Sequence, residues 1–288
     1  MTNVFVDRRY DERITRLALG VEPLDVVLGG RLADPVRVLV EDEKVPLHRW
    51  RTWRPGETLD AFLTALPRHH SGRFGRVYGP RSTGGVVDLR IVDGGARRIV
   101  PRRFRVDLAD EPTVAATDLA PAGPHPLWRR VFPVGLFPGS AAPLTRRHTV
   151  VRGRVLQAAD DRPVRWTRVE AVDAVGDLVG WGHGDERGEF VLVVRHPDTA
   201  VVVADDPLAV ELTVGATLPP LDPDPLDPAR PDVDALWDLP REVLVPTPTA
   251  AGGDRYTGRA QLPGQASFGP FPFDLPLGRE TSVQIRIP

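Results

Sequence analysis

Short β-branched runs recur along the chain, and several of them alternate apolar and polar positions with a period of two. These are "VRVLV" (36–40), "VVDLRIV" (86–92), "TVVRGRVL" (149–156), "FVLVV" (190–194), "LAVELTV" (208–214) and "SVQIRI" (282–287). A strand turns successive side chains to opposite faces, so this pattern predicts half-buried strands. Between the runs stand 31 prolines and 27 glycines, too many to leave room for helices of ordinary length. The best helical stretch is "ETLDAFLTALPRH" (57–69), which starts near Thr58 and is ended by Pro67. The fold class expected is therefore all-β: two tandem β-sandwich domains joined by a proline-rich packed connector.

The boundaries follow from where alternation lapses. Residues 1–110 read as an N-terminal β-rich domain with one short helix, and 111–146 as an extended connector. Leu127, Trp128, Val131, Phe132, Leu136 and Phe137 make that connector too apolar to hang free. Residues 147–288 read as a second sandwich with a proline-rich excursion at 218–248, pinned by Trp237 and Leu239. The halves share a loose repeat: Pro-Val-Arg opens a strand in each, and Gly-x-Phe opens a later one.

Charge and composition narrow the function classes. A formal net charge of −2 gives no general attraction to nucleic acid or to an anionic membrane. The chain has no cysteine, which excludes disulfides, thiolate catalysis and cysteine-bound metal clusters. Its basic residues are arginines apart from Lys44. No apolar run reaches membrane-spanning length, and the charged opening "MTNVFVDRRYDERITRLALG" lacks a signal-peptide core. Synthesis in the cytoplasm is expected, which leaves room for release as part of a particle.

Few stretches carry candidate chemistry. "RHHSG" (68–72) sets two histidines beside a serine, but neighbours in an extended segment point apart and no nucleophile elbow surrounds Ser71. "DPDPLDPARPDVD" (222–234) lacks the glycine and glutamate spacing of a calcium loop. "ARRIVPRRFRV" (96–106) concentrates Arg97, Arg98, Arg102, Arg103 and Arg105 and alternates them with apolar residues. That pattern suggests a β-ribbon with one charged face, able to dock onto an acidic subunit. Trp50 and Trp53, set among basic residues, are the aromatic pair best placed for a contact surface. "GHGDERGEF" (182–190) poses the sharpest alternative, an acid–base or metal site around His183 and Asp185 against a turn between strands.

The segment "VVRGRVLQAADDRPVRWTRVEAVDAVGDLVGWGHGDERGEFVLVV" (150–194) resembles the carboxypeptidase regulatory-like domain, a transthyretin-like (prealbumin-like) sandwich of about seven strands. Gly153–Val155, Pro163, Val169 and the run from Gly184 to Phe190 occupy the places of that family's motif. The resemblance implies a transthyretin-like second domain with no catalytic residues of its own. It also answers the alternative at 182–190 in favour of the turn. Asp185 accepts backbone amides, Gly188 supplies a positive-φ position and Phe190 points into the core. More loosely, "RRYDERITRLAL", "RRIVPRRFRVDL", "DALWDLPREV" and "DLPLGRETS" resemble uncharacterised bacterial proteins encoded among phage-tail-like contractile injection components.

These readings point to a non-enzyme without cofactor or metal: a structural or adaptor subunit of a multi-protein assembly, with a phage-tail-like contractile particle implied by the looser resemblance. Its expected partners are other protein subunits, with no nucleic acid, no membrane insertion and no small-molecule ligand. Two alternatives remain. One is a carbohydrate- or peptide-binding module using Trp50 and Trp53. The other is an enzyme assembled from distant residues such as His70, His183 and Asp185.

Overall fold

The computed structural model describes residues 16–41, 63–79, 84–118, 130–144, 148–195, 207–218, 234, 236, 238–244 and 257–288. The first elements are β1 (Leu17–Asp25), β2 (Arg37–Glu41), β3 (Thr64–Ala65), β4 (Phe74–Val77), β5 (Gly85–Val92), β6 (Arg102–Leu108), α1 (Glu111–Asp118) and β7 (Val131–Leu136). There follow β8 (Thr149–Gln157), β9 (Arg168–Asp173), β10 (Leu178–His183), β11 (Glu189–Val194) and β12 (Leu208–Ala216). The last three are β13 (Glu242–Leu244), β14 (Ala266–Leu275) and β15 (Glu280–Ile287). Each of the six β-branched runs becomes a strand, and the architecture is all-β.

The strands form two sandwiches. In the first, the sheet β4-β1-β7 lies against the sheet β13-β6-β5-β2-β3. Leu19, Val21, Phe74, Phe132 and Val134 on one sheet meet Val38, Leu89, Ile91, Phe104 and Val106 on the other in one apolar core. In the second, β10-β9-β12-β14 lies against β11-β8-β15. Val151, Val155, Phe190, Leu192 and Ile285 there meet Val169, Ala171, Val210, Leu212 and Val214. Its strands number seven, in agreement with the sandwich of about seven that the transthyretin-like resemblance implies.

Three segments differ from their expected form. Thr64 and Ala65, within the expected helix 57–69, pair with Val40 and Leu39 of β2; residues 57–62 lie outside the described ones. Satisfying an open sheet edge outweighs a local helical preference of a few tenths of a kcal/mol per residue. The expected connector 111–146 is not extended throughout. Its start folds as α1, where Asp110 caps the helix by accepting from Thr113 N at 2.8 Å and Val114 packs with Ala18 and Tyr78. Its apolar stretch becomes β7, paired in parallel with β1 from Gly20 to Asp25. The third difference lies in the excursion 218–248, which returns to the first sandwich: Glu242, Val243 and Leu244 pair in parallel with Phe104, Arg105 and Val106 of β6. The loose repeat also diverges, because Pro35-Val36-Arg37 leads straight into β2 whereas Pro163–Trp166 forms a turn before β9.

Candidate functional site

The arginines of the 96–106 cluster separate by strand parity. Phe104 and Val106 face the core of the first sandwich, so Arg103 and Arg105 take the opposite face of β6, directly across from Arg90 and Asp88 of β5. That face is covered. Asp234 grips Arg90 with two hydrogen bonds, Nη1 to Oδ1 at 2.7 Å and Nη2 to Oδ2 at 2.9 Å. Glu41 on β2 accepts from Arg90 Nε at 2.8 Å and from Arg103 Nε and Nη2 at 2.8 and 2.7 Å. Arg103 Nη1 also donates to the carbonyls of Leu236 and Leu239 at 2.9 and 2.8 Å. Asp88 holds Arg105 in a two-pronged pair at 2.8 and 2.9 Å, and Arg241 Nη1 lies 3.3 Å from its Oδ2.

A second group joins the two sandwiches. Glu242 on β13 receives Arg102 of the first sandwich through Nε at 3.0 Å and Nη2 at 2.8 Å. Its Oε1 also receives Arg168 Nη2 of the second sandwich at 3.1 Å. Arg102 is 1% exposed, Arg168 5% and Glu242 6%. Leu39, Leu63 and Val92 of the first sandwich pack with Leu236, Leu239, Trp166 and Leu262 in one apolar cluster, where the Leu236 and Leu239 carbonyls also hold Arg103. Trp166 sits at φ 55°, in the left-handed region that a bulky side chain resists. Its Nε1 donates to Asp238 Oδ1 at 2.6 Å and its carbonyl accepts from Gln265 Nε2 at 2.8 Å, which together hold it there.

The electrostatics follow from burial competing with pairing. Burial pushes Glu41 up, but the Arg103 hydrogen bonds and the charges of Arg90 and Arg103 outweigh it and bring the carboxyl down to about 2. The same contest at Glu242 is won by Arg102 and Arg168, so that carboxyl also lies below its ordinary range. His183 stands across from Arg168 on β10. Its ring stacks on Phe137 with centroids 3.6 Å apart, and Nε2 donates to Gly258 O at 2.6 Å. Burial first, then the charges of Arg168 and Arg102, hold His183 well below an ordinary histidine and keep it neutral.

This neutral histidine has a measurable consequence. A folded-state pKa below the unfolded value means that the unfolded chain takes up the proton first. The contribution is therefore whole above pH 6.5 and is lost as pH falls below it. Urea midpoints measured from pH 8 to pH 5 should fall below pH 6.5 with a slope of up to about 1.4 kcal/mol per pH unit. His183→Gln, which keeps a donor for Gly258 O, should flatten that slope. A second loss, from Glu41, should set in below about pH 4.5. Asp185 and Asp238, both raised by burial, act in the opposite direction, so the difference between the wild-type and His183→Gln curves isolates the histidine.

The sequence-predicted residues are thus dispersed. Arg102 and Arg103 are buried in ion pairs within the chain, which corrects the outward-facing ribbon expected for them, and Arg105 is half-covered beside Asp88. Arg97 and Arg98 are exposed, with Arg98 Nη1 3.4 Å from Asp34. Trp50 and Trp53 lie outside the described residues. Asp185 Oδ1 accepts from the amides of Arg187 and Glu189, both at 2.9 Å. Gly188 has φ 71° and would bring a Cβ to 2.6 Å from Val155 O, and Phe190 is buried in the core. Side chains at 182–190 therefore form a structural turn, with His183 facing the sandwich junction. No group of metal-ligating side chains converges among the described residues.

The acids that answer the arginines were missed in the sequence. Their signal was present in two places. In "VVDLRIV", Asp88 and Arg90 share one face while Val87, Leu89 and Ile91 hold the other. In "DALWDLPREV", Asp234 and Glu242 flank the apolar Leu236 and Leu239.

No protein-family model matches this chain, and no curated protein matches it. Among solved structures it is similar to a 9R-lipoxygenase from Cyanothece PCC8801 at 22% identity, covering 24% of this chain and 11% of that one, TM-score 0.20. It is similar to the Bacillus anthracis TIE protein at 9% identity, covering 94% of this chain and 33% of that one, TM-score 0.25. It is also similar to the shaft pilin SpaA from Lactobacillus rhamnosus GG at 8% identity, covering 95% and 97% of the two chains, TM-score 0.23. The chain thus spans about a tenth of the lipoxygenase and a third of the TIE protein. Scores this low mean that the strands superpose only in part, and what those proteins do carries nothing over to this chain. The conclusion that stands is architectural: an all-β chain of two sandwiches clamped by buried ion pairs.

Proposed function

We propose that this chain is a non-catalytic structural subunit of a multi-protein assembly, and that the assembly is a phage-tail-like contractile particle. The observation that carries the structural role is the junction itself. Asp234 and Glu242, reached only after the chain has built most of the second sandwich, return to close on Arg90 and Arg102 of the first. Glu242 then ties Arg168 into the same centre. Among the described residues, the arginines and acids of this junction are directed at one another and tie the two sandwiches into one block. A block of this kind suits a part that must keep its shape under contact with neighbours. The contractile particle is supported by the sequence resemblance of the four motifs quoted above.

Gradient sedimentation of particles from the native bacterium, with mass spectrometry of the fractions, tests the reading. The chain should travel with tube and sheath proteins at a fixed ratio. Recovery only at the top of the gradient, as free protein, would overturn it.

A further inference from the structure

The second sandwich has two neighbouring sheet edges, β14 and β15, with different chemistry. β14 carries Pro270 and Pro272, which lack N–H donors and blunt that edge against pairing. β15 runs eight residues, "ETSVQIRI", with no proline and no break in its register against β8. Among the described residues no strand pairs with its outer side. An edge this long and regular is a template for another strand.

The direction of its free groups can be read from its ladder. The carbonyls of Arg279 and Ile287 accept from Val150 N and Ala158 N, so both are turned toward β8. By two-residue alternation the odd-numbered residues use their backbone groups on β8. The even-numbered Glu280, Ser282, Gln284 and Arg286 turn N–H and C=O outward. Their side chains are exposed, whereas Ile285 and Ile287 are buried and Thr281 and Val283 half-buried.

The strand is self-complementary in the antiparallel sense. A two-fold axis at Val283 sets Glu280 against Arg286 of the second copy, Ser282 against Gln284, and Val283 against itself. Every outward-facing residue then meets another outward-facing residue, which forms on the order of eight backbone hydrogen bonds. The opposed charges meet twice, once at each end. Glu280 and Arg286 are free to take part, with side chains 52% and 56% exposed. Arg286 gives up only the solvent-facing Asp161, a pair of small worth, whereas Glu280 gives up Arg152, which is 24% exposed and stays held by the carbonyls of Ser140 and Ala142. At the centre, the apolar, half-buried Val283 would cover its own counterpart.

We infer that β15 is a homotypic docking edge, at which two copies of this chain join antiparallel about Val283 into one continuous sheet, β11-β8-β15-β15-β8-β11. The pairing needs no other component, so it stands apart from the particle reading. A chain that dimerises this way yet sediments as free protein keeps this inference and loses that one.

Sedimentation velocity of the full chain decides it. The expected result is a concentration-dependent species at twice the 31.6 kDa chain mass. Ser282→Pro removes only an outward amide, so it should weaken the dimer by at least about thirtyfold while leaving the circular-dichroism melt intact. Glu280→Arg or Arg286→Glu alone should each weaken it about tenfold, and the two together should restore it to within about threefold. Should Ser282→Pro fail to fold, the charge exchange decides alone. A chain monomeric at every concentration, a dimer indifferent to Ser282→Pro, or a double variant no stronger than the singles would overturn the inference.

Discussion

Replacing Glu242 by alanine is expected to destabilise the chain by about 3–5 kcal/mol, a large part of the ~5–15 kcal/mol that holds an ordinary domain folded. The reason is what the substitution leaves behind. Arg102 loses both of its charge-assisted bonds to this carboxylate, and Arg168 loses its bond in the same step. Two guanidinium groups then stand in an interior almost closed to water, each still costly to keep away from solvent. His183 beside them can only be neutral or positive, so it supplies no negative charge in the carboxylate's place. Glu242→Gln should cost nearly as much, because the amide fills the space without the charge. Converting Arg102, Glu242 and Arg168 together to methionine should recover at least half of the loss, since no charge is then stranded. Urea denaturation of the three variants tests this. If the triple variant is no more stable than Glu242→Ala, the damage comes from lost packing and the charge argument fails.

Phe190 and Gly153 should behave as a single fitted unit in the second sandwich. They are register partners on β11 and β8, and a Cβ placed on Gly153 would lie 2.3 Å from Phe190 Cζ and 2.8 Å from Val283 Cγ2. The phenyl ring therefore lies flat across the glycine, in space that any other residue would fill. Phe190→Ala is expected to cost about 3–5 kcal/mol through lost burial and the cavity left behind. Gly153→Ala is expected to cost about 1–3 kcal/mol by overpacking. In a Phe190→Leu background the cost of Gly153→Ala should drop by at least about half, because the added methyl enters space the ring has vacated. Thermal unfolding of the four proteins in this cycle measures the coupling. Strictly additive losses would show that the ring and the glycine do not share one space.

What could be read from the sequence lies at short range. Short β-branched runs, several with period-two alternation, marked strands at 36–40, 86–92, 149–156, 190–194, 208–214 and 282–287, because a strand with one buried face alternates whatever it pairs with. The turn at 182–190 was also legible, since Asp185, Gly188 and Phe190 do their work within a few residues of one another. The self-complementary order of charges in β15 is equally visible in the bare letters, although only the ladder to β8 shows which backbone groups face outward.

Tertiary structure decided the rest. Thr64–Ala65 became a strand because β2 had an edge to fill, and 131–136 became one because β1 did. The arginines at 102 and 103 looked like a surface because alternation reveals that a face is polar without revealing what covers it. Their acids stand at Glu41 and Glu242, with 140 residues separating Arg102 from Glu242. A charge buried with its partner and a charge left in water produce the same local pattern. Only the return of the chain across the first sandwich, with Leu236 and Leu239 sealing the ion pairs, makes the interior position the favourable one.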